Sequence, residues 1–318
     1  MHITHDRVLV TGGSGFIGSH TVDALLNADV KTWVLDNLST GYKVNLAEHR
    51  RNPNLHFVKG SICNLKKVNK LASKVDAIIH LAAVVSPFMS VRRPDITNKI
   101  NVGGTLSLLL SASKHDVKRI VFASSSSVYG DTGRHSRIVE STRTNPITPY
   151  GASKLAGEEY CRAFCSTYGI STISLRYFNV YGERQSANPY SGVIAIFANK
   201  LRHNQRATVY GDGKQTRDFI HVSDVARANL LALEAPTGKG EAFNIGTGAP
   251  TTIGTLYAVI AGIIGNKQFK PIRKPRRTGD IRYSCAAVEV AKSNLGFQSE
   301  ITLRNGLVRL INWLAPSP

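Results

Sequence analysis

Short apolar runs and longer amphipathic stretches alternate along the first half of this chain. Helical periodicity is clearest over 15–27, 95–114 and 150–168. Between these stretches lie runs rich in Val, Ile and Leu, which have the length of strands that are buried on both faces. The runs predict strands at 7–11, 31–36, 55–59, 76–81, 118–124 and 171–178. Alternating strands and helices favour an α/β fold, a doubly wound parallel sheet.

The second half of the chain is less regular and richer in Gly, Pro and basic residues. The run Phe219–Ala226 opens a further helix, with Ser223 or Asp224 as its expected cap, and 242–246 has the pattern of another strand. Both would return to the first lobe, while the irregular segments form a smaller lobe over the carboxyl edge of the sheet. The expected domains are 1–182 with 219–247, and 183–218 with 248–318.

A glycine-rich turn, Thr11–Gly18, follows the first predicted strand at once. Gly12 permits a tight turn, Gly15 lets backbone N–H groups approach a pyrophosphate, and Gly18 lets the next helix pack close to the strand. The N-terminus of that helix then favours the phosphate charge. The turn therefore predicts a dinucleotide site in a Rossmann-type sheet.

An acidic residue, Asp36, ends the second predicted strand. A carboxylate at this place accepts hydrogen bonds from ribose hydroxyls and would repel a 2′-phosphate. The predicted cofactor is therefore NAD and not NADP.

Tyr150 and Lys154 lie one helical turn apart, so that the phenol and the ammonium share one face of a helix. A free phenol has a pKa of about 10 and needs help to lose its proton near neutral pH. A neighbouring cation favours the phenolate. The pair therefore predicts a tyrosine that moves a proton beside the nicotinamide.

The 318 residues carry 40 Lys and Arg against 21 Asp and Glu, a formal charge of +19. The basic residues are scattered, and no RNP signature, zinc pattern or basic amphipathic helix accompanies them, so nucleic-acid binding is not expected. The apolar runs are too short for a membrane span. The four cysteines show no metal-site spacing, which fits a reduced, cytoplasmic protein without a metal.

With these motifs in place, the chain resembles the extended short-chain dehydrogenases/reductases, and among them the nucleotide-sugar epimerases of the UDP-galactose 4-epimerase type. The resemblance covers nearly the whole chain. The matching stretches are Thr11–Gly18, 36–41, 80–83, 101–105, Ser124–Gly130, Pro149–Glu158, Arg176–Arg184, Gly211–Ala226, Phe243–Gly248 and Arg277–Ala286.

The resemblance implies roles for many residues. Catalysis would rest on Tyr150 as the base, on Lys154, and on Ser125, which would bond the C4 oxygen of the sugar. The expected cofactor contacts are Gly12, Gly15, Phe16, Ile17, Gly18, Asp36, Asn37, Ser39, Gly41, Ser61, Ile62, Leu81, Ala82, Ala83, Asn101, Ser124, Tyr150, Lys154 and Tyr177. The expected UDP-sugar contacts are Ser86, Ser125, Ser126, Tyr150, Asn179, Val193, Tyr210, Arg217, Arg277, Asp280 and Ser284.

One position over the sugar acts as a gate in this family, where a bulky Tyr restricts the enzyme to plain hexoses and a small residue admits a 2-N-acetyl group. That position falls on Ser284, and Ser86 also matches members that handle N-acetylated sugars. The resemblance therefore implies interconversion of UDP-glucose and UDP-galactose, and also of UDP-GlcNAc and UDP-GalNAc. Two places depart from the family pattern: Ser61 stands where an Asp is usual, and Gly192 replaces an Asn.

Other activities stay open at this point. The 4,6-dehydratases and the decarboxylases of the superfamily carry acids where this chain has Ser126 and Ser127, which disfavours both reactions. A UDP-glucuronate 4-epimerase and other nucleotide-sugar epimerases or dehydratases remain alternatives, and so does a non-catalytic NAD- or RNA-binding protein. The family resemblance also implies a homodimer formed through the helices at 95–114 and 150–168.

Overall fold

The computed structural model describes residues 3–133, 136–186, 192–266, 268–276 and 280–315. Its strands are β1 (Arg7–Thr11), β2 (Lys31–Asp36), β3 (Leu55–Lys59), β4 (Ala77–His80), β5 (Arg119–Ser125), β6 (Ser171–Tyr177), β7 (Asn179–Tyr181), β8 (Thr208–Tyr210), β9 (Thr216–His221), β10 (Lys239–Ile245), β11 (Pro250–Thr252) and β12 (Ile272–Lys274). Its helices are α1 (Phe16–Leu26), α2 (Leu65–Ala72), α3 (Pro87–Arg92), α4 (Pro94–Thr97), α5 (Gly104–Ala112), α6 (Pro149–Tyr168), α7 (Val193–Arg202), α8 (Val222–Glu234), α9 (Ile253–Ile264), α10 (Glu289–Leu295) and α11 (Leu303–Leu314). Among the helices of these described ranges, none has the length and apolar character that a membrane crossing requires.

Seven strands form the main sheet, in the order β10-β6-β5-β4-β1-β2-β3. Every neighbouring pair in it is parallel. The six strands expected in the first half all belong to this sheet, and the expected strand at 242–246 is part of β10. The prediction of a doubly wound, Rossmann-type α/β fold is confirmed.

Both faces of the main sheet are covered by helices, which explains why a central strand such as β4 is buried along its whole length. Val10 and Val34 point into a core that also holds residues of α1 and α8. Their neighbours Leu9 and Leu35 point the other way, into a core with α2, α5 and α6. Successive residues of each strand therefore serve opposite faces.

The second lobe has a core of its own, built around α7, α9 and α11. Phe197, Leu256 and Leu310 are buried together in it. The short sheets β11-β9-β7 and β12-β8 accompany these helices. The chain then returns, because Leu295 and Phe297 pack into the core of the main sheet. The exact domain bounds stay a prediction.

The helix expected from Phe219 begins later than the sequence pattern suggested. Phe219 to His221 complete strand β9, and α8 starts at Val222. Neither Ser223 nor Asp224 is the cap. The His221 ring instead accepts a hydrogen bond from the Ser223 N–H, while the Asp224 carboxylate accepts the N–H groups of 300 and 301 ahead of α11.

Candidate active site

A cavity of about 550 Å³ lies over the carboxyl edge of the main sheet. Small-molecule sites commonly enclose roughly 300 to 1,000 Å³. The carboxyl ends of β1, β2, β4 and β5 and the first turns of α1 and α6 surround it. The cavity is lined by eighteen of the predicted cofactor contacts: Gly12, Gly15, Phe16, Ile17, Gly18, Asp36, Asn37, Ser39, Gly41, Ser61, Ile62, Leu81, Ala82, Ala83, Ser124, Tyr150, Lys154 and Tyr177.

The glycine-rich turn has the backbone that its sequence requires. Gly12 has φ +71°, and a side chain there would press on the backbone of Ala82 at 2.9 Å. A Cβ on Gly18 would overlap the Gly12 carbonyl oxygen. The turn thus passes close to the start of α1 and leaves a cradle at that helix N-terminus, which fits a pyrophosphate.

Asp36 lies at the adenosine end expected for a dinucleotide, where β2 ends against the cavity. Its carboxylate is buried and accepts the backbone N–H of Ser14 at 2.9 Å and that of Leu38 at 2.7 Å. These two bonds fix the carboxylate between the glycine-rich turn and the loop after β2. A fixed anion there suits ribose hydroxyls, and the residues of this edge fit NAD.

The predicted catalytic side chains come from two elements that meet at the cavity. Helix α6 begins at Pro149, and the Thr148 hydroxyl caps it by accepting the Gly151 N–H. Tyr150 in its first turn lies beside Ser125 at the end of β5, and both line the cavity. Burial raises the pKa of Tyr150, and the Ser125 hydroxyl opposes this rise. The structure therefore brings the predicted base and the predicted sugar contact together.

Lys154 lies below this pair, one turn further along α6. Its Nζ donates to the Ala123 carbonyl oxygen at 2.7 Å and lies 5.0 Å from the centre of the Phe122 ring. Burial lowers the pKa of Lys154 to about 8. The side chain is therefore mostly cationic at neutral pH and loses its charge in the mildly alkaline range.

Asn101 was expected to contact the cofactor, but it does not line the cavity. It lies in a π-helical turn, Asn98–Gly103, and its side-chain amide forms two hydrogen bonds with the backbone of Val84. It also donates to the Ser153 hydroxyl at 2.9 Å. Asn101 thereby ties the cavity-lining residue Val84 to helix α6, and its contact with the cofactor stays a prediction.

The predicted UDP-sugar contacts divide into two groups. Ser86, Ser125 and Tyr150 line the cavity. Arg277 lies outside the described residues. The others are described by the structure but do not line the cavity: Ser126, Asn179, Val193, Tyr210, Arg217, Asp280 and Ser284. Their contacts with a nucleotide sugar stay predictions.

Two members of that second group contact each other. Arg217 donates to the Asp280 carboxylate at 2.6 Å and to the Ile281 carbonyl oxygen at 2.7 Å. The pair is mostly buried, with 17% and 21% of the side chains exposed. Asn179 donates to the Asp218 carbonyl oxygen at 3.1 Å. Strand β9 thereby holds both β7 and the segment that carries Ser284.

Asp218, which the sequence argument passed over, is the hub of this region. Its carboxylate is fully buried and accepts four hydrogen bonds from N–H and O–H donors: the Thr247 N–H and hydroxyl, the Gly248 N–H and the Ala286 N–H. It also accepts a longer one from the Cys285 thiol at 3.9 Å. These bonds join the turn after β10 to the segment that contains Ser284. The sequence held one signal for this role, an acidic residue directly before the apolar run that starts at Phe219.

Arg184 is a second residue that was missed, and it lines the cavity. It has φ +65°, an uncommon conformation for a residue with a side chain. Its guanidinium donates to Asp23 of α1 at 2.7 Å. The loop after β7 is thereby fixed to the helix that begins at the phosphate cradle.

A phosphate cradle, an acid after the second strand and a tyrosine-lysine pair on one helix define an enzyme that uses a dinucleotide. The chain belongs to the NAD dependent epimerase/dehydratase family, whose model matches residues 8–246. The predicted family, the NAD cofactor and the predicted enzyme class, an isomerase, are confirmed.

Three similar proteins cover almost the whole chain. A putative UDP-glucose 4-epimerase of Methanocaldococcus jannaschii is 42% identical, over 96% of this chain and 98% of that relative. The structure of a UDP-glucose 4-epimerase of Thermotoga maritima with UDP-glucose is 38% identical, with a TM-score of 0.91 over 96% of this chain and 98% of the other. A UDP-N-acetylglucosamine 4-epimerase of Methanobrevibacter ruminantium, in complex with UDP-N-acetylmuramic acid, is 34% identical, with a TM-score of 0.92 over 98% of both chains.

Proposed function

We propose that this enzyme is a UDP-hexose 4-epimerase that interconverts UDP-glucose and UDP-galactose, and also UDP-GlcNAc and UDP-GalNAc. The observation that carries the proposal is that Tyr150, Ser125 and Lys154 meet at the cavity, with the Lys154 ammonium held by the Ala123 carbonyl oxygen. The names of the similar proteins support the same reaction.

The chain's own groups divide the work at C4 of the sugar. The Ser125 hydroxyl would hydrogen bond to the C4 oxygen of the sugar and thereby place the C4 hydroxyl next to Tyr150. Tyr150 would take that proton and later return it. NAD, when bound, would supply hydride-transfer chemistry at C4.

Tyr150 must be deprotonated to act as the base, although its burial favours the neutral phenol. The Ser125 hydroxyl favours the phenolate, and the positive charge of Lys154 would favour it as well. Lys154 can do so only while it is cationic, and its pKa of about 8 places the loss of that charge just above neutral pH. Activity should therefore fall as the pH rises through this value.

The serines after Ser125 favour epimerisation over elimination. Ser127 donates its backbone N–H to the Ser125 oxygen at 3.2 Å, and the two hydroxyls are 3.1 Å apart. Neither Ser126 nor Ser127 offers a carboxylic acid that could protonate a leaving group or remove a proton from C5. Dehydration would require such a group.

The small gate residue supports the wider substrate range. Ser284 is buried within the segment that Asp218 holds. As the gate that the family resemblance implies, a side chain as small as serine would leave room for an acetamido group. A UDP-N-acetylglucosamine 4-epimerase is among the similar structures. The enzyme would then accept both plain and N-acetylated UDP-hexoses.

The test is incubation of the purified enzyme and NAD with UDP-glucose and with UDP-GlcNAc, separately, followed by anomeric proton NMR. New galacto-configured signals from both sugars are expected. Tyr150→Phe should abolish them, whereas Tyr168→Phe at the exposed end of the same helix should not. Absence of product from either sugar would reject the proposal, and product from UDP-glucose alone would reject the wider range.

We also propose a cytoplasmic homodimer that pairs α5 and α6 with a second copy. Leu110 and Tyr160 are each 36% exposed and Tyr168 is 55% exposed on these helices, which supports an apolar contact there. Light scattering coupled to gel filtration should give twice the chain mass of 34.6 kDa. A single-chain mass would contradict the proposal.

A further inference from the structure

A buried ion pair lies directly behind the catalytic helix face. Glu158 follows Lys154 by one turn of α6, and Arg176 lies on β6. The Arg176 Nε donates to one carboxylate oxygen of Glu158 at 2.9 Å and its Nη2 donates to the other at 2.7 Å. Their side chains are only 6% and 8% exposed. Bidentate pairs of this kind fix both partners in direction as well as distance.

The same carboxylate also reaches the strand that carries the sugar contact. The Ser124 hydroxyl donates to Glu158, and Ser124 lines the cavity immediately before Ser125. The Glu158 side chain therefore joins the helix of Tyr150 and Lys154 to the end of β5, in addition to the bond from Lys154 to the Ala123 carbonyl oxygen. Among the described residues, Glu158 is the α6 side chain that hydrogen bonds to the Ser124 hydroxyl.

Arg176 is held from its far side, so the pair is fully bonded. Its Nη1 donates to the Tyr129 hydroxyl at 2.8 Å and to the Glu140 carbonyl oxygen at 3.0 Å. Tyr129 in turn donates to Asn244 of β10 at 2.7 Å. The positive charge of Arg176 is thus committed to this network, with Glu158 between it and the catalytic helix turn.

The other titratable groups around Lys154 carry no charge at neutral pH. His80 of β4 is buried, and burial lowers its pKa to about 3, so its ring is neutral. Burial raises the pKa of the Cys161 thiol on α6 and that of the Tyr177 phenol on β6. Burial raises the pKa of the Tyr150 phenol as well.

Glu158 is therefore the carboxylate that acts on Lys154. Burial lowers the pKa of Lys154, and its neighbours Cys161 and Glu158, both on α6, work against that shift. Of these two, Glu158 is the carboxylate. Residues four apart on a helix are neighbours, and the charge acts through a poorly screened interior.

We propose that Glu158 is a positioning residue of the active site, which holds the helix turn of Lys154 in register with Ser124 and Ser125 and places a carboxylate one turn from the lysine. The inference rests on the proposed function for its turnover assay, but the protonation of Lys154 can be measured without any sugar.

Three variants of the NAD-loaded enzyme separate this role from a merely structural one. Glu158→Leu with Arg176→Met replaces both charges by apolar side chains of similar volume, a change that buried pairs often tolerate. Glu158→Asp keeps the negative charge but moves it away from Lys154 and Ser124. This variant replaces the double variant in the test if the double variant does not fold. Glu159→Gln removes a carboxylate from the exposed, neighbouring position of α6 and is the matched control.

Two readouts are taken across the neutral and alkaline range: kcat/KM with UDP-glucose, and an NMR titration of Lys154 in lysine-labelled protein, assigned with Lys154→Arg. The parent should lose activity near pH 8. In the double variant the alkaline limb and the Lys154 titration should both move down by about one pH unit, because the opposing charge is gone. Glu158→Asp should move them less in the same direction, and the control should not move them.

Turnover should also show the positional part of the role. In the double variant we expect kcat to fall about tenfold while KM stays within about twofold of the parent value, because misplaced catalytic groups slow the chemical step more than they weaken binding. Unchanged titration of Lys154 in both Glu158 variants would overturn the proposal. If the parent does not turn over UDP-hexoses, the proposed function fails, and the Lys154 titration still decides the role of Glu158.

Discussion

Replacing Asp218 by asparagine should loosen the second lobe where it meets the main sheet. One carboxylate oxygen accepts both donors of Thr247, and the other accepts the N–H groups of Gly248 and Ala286. Whichever oxygen becomes the amide nitrogen, two of the four N–H and O–H donors lose their acceptor. The substitution keeps the shape of the side chain, so the effect reports on hydrogen bonding and charge.

The structure sets the size of the effect. Asp218 is fully buried, so water cannot replace the lost acceptor. A hydrogen bond to a charged group contributes about 1.5 to 3 kcal/mol, so two of them give about 3 to 6 kcal/mol of lost unfolding free energy. Thr247→Val removes one hydroxyl donor and should cost about 1 to 2 kcal/mol.

Urea unfolding at a fixed, saturating NAD concentration measures these differences, because bound cofactor itself stabilises the native state. Asp116→Asn, at a side chain that is 87% exposed, is the control and should change stability by less than about 0.5 kcal/mol. The KM for UDP-sugars should rise in Asp218→Asn, because the segment of Ser284 is anchored there. If Asp218→Asn were as stable as the parent, the four-bond hub would not exist in solution.

Three further substitutions test other parts of the site. Asp36→Asn should weaken NAD binding about tenfold and reduce the preference for NAD over NADP, because an acceptor for the ribose hydroxyls and a charge that repels the 2′-phosphate are lost. Fluorescence titration measures both affinities. An unchanged ratio of the NAD and NADP affinities would contradict this. Gly18→Ala should abolish NAD binding or destabilise the fold, because its Cβ would overlap the Gly12 carbonyl oxygen, whereas Gly103→Ala, which meets open space, should be neutral in thermal unfolding; equal behaviour of the two would count against the close approach. Ser284→Tyr should remove activity on UDP-GlcNAc and keep that on UDP-glucose in the NMR assay, and persistence of both would show that position 284 is not the gate.

The fold could be predicted because its signals are local. Val, Ile and Leu runs such as Val8–Val10 form strands that are buried on both faces, and the glycine-rich turn must follow the first of them. The spacing of Tyr150 and Lys154 fixes a shared helix face without knowledge of the rest of the chain.

The missed features depend on partners far away in the chain. Arg184 is set by Asp23 of α1, and Asp218 is set by loops that follow β10. Asn101 lies in the expected region, but its amide is used by Val84, which only the folded loop brings within reach. The cap of α8 was placed wrongly because the apolar run before it continues as a strand up to His221, whose ring can accept the hydrogen bond that a serine would normally accept.

The position of β10 at the edge of the main sheet has a consequence for how the protein is made. Its partner β6 (Ser171–Tyr177) leaves the ribosome well before Lys239–Ile245, and the intervening chain builds part of the other lobe. Until β10 arrives, a nascent chain would expose the apolar edge of β6, which is a template for unwanted pairing. Translation that stops before residue 239 should therefore yield aggregation-prone, chaperone-bound chains, and completion of the main sheet should await synthesis of that one strand.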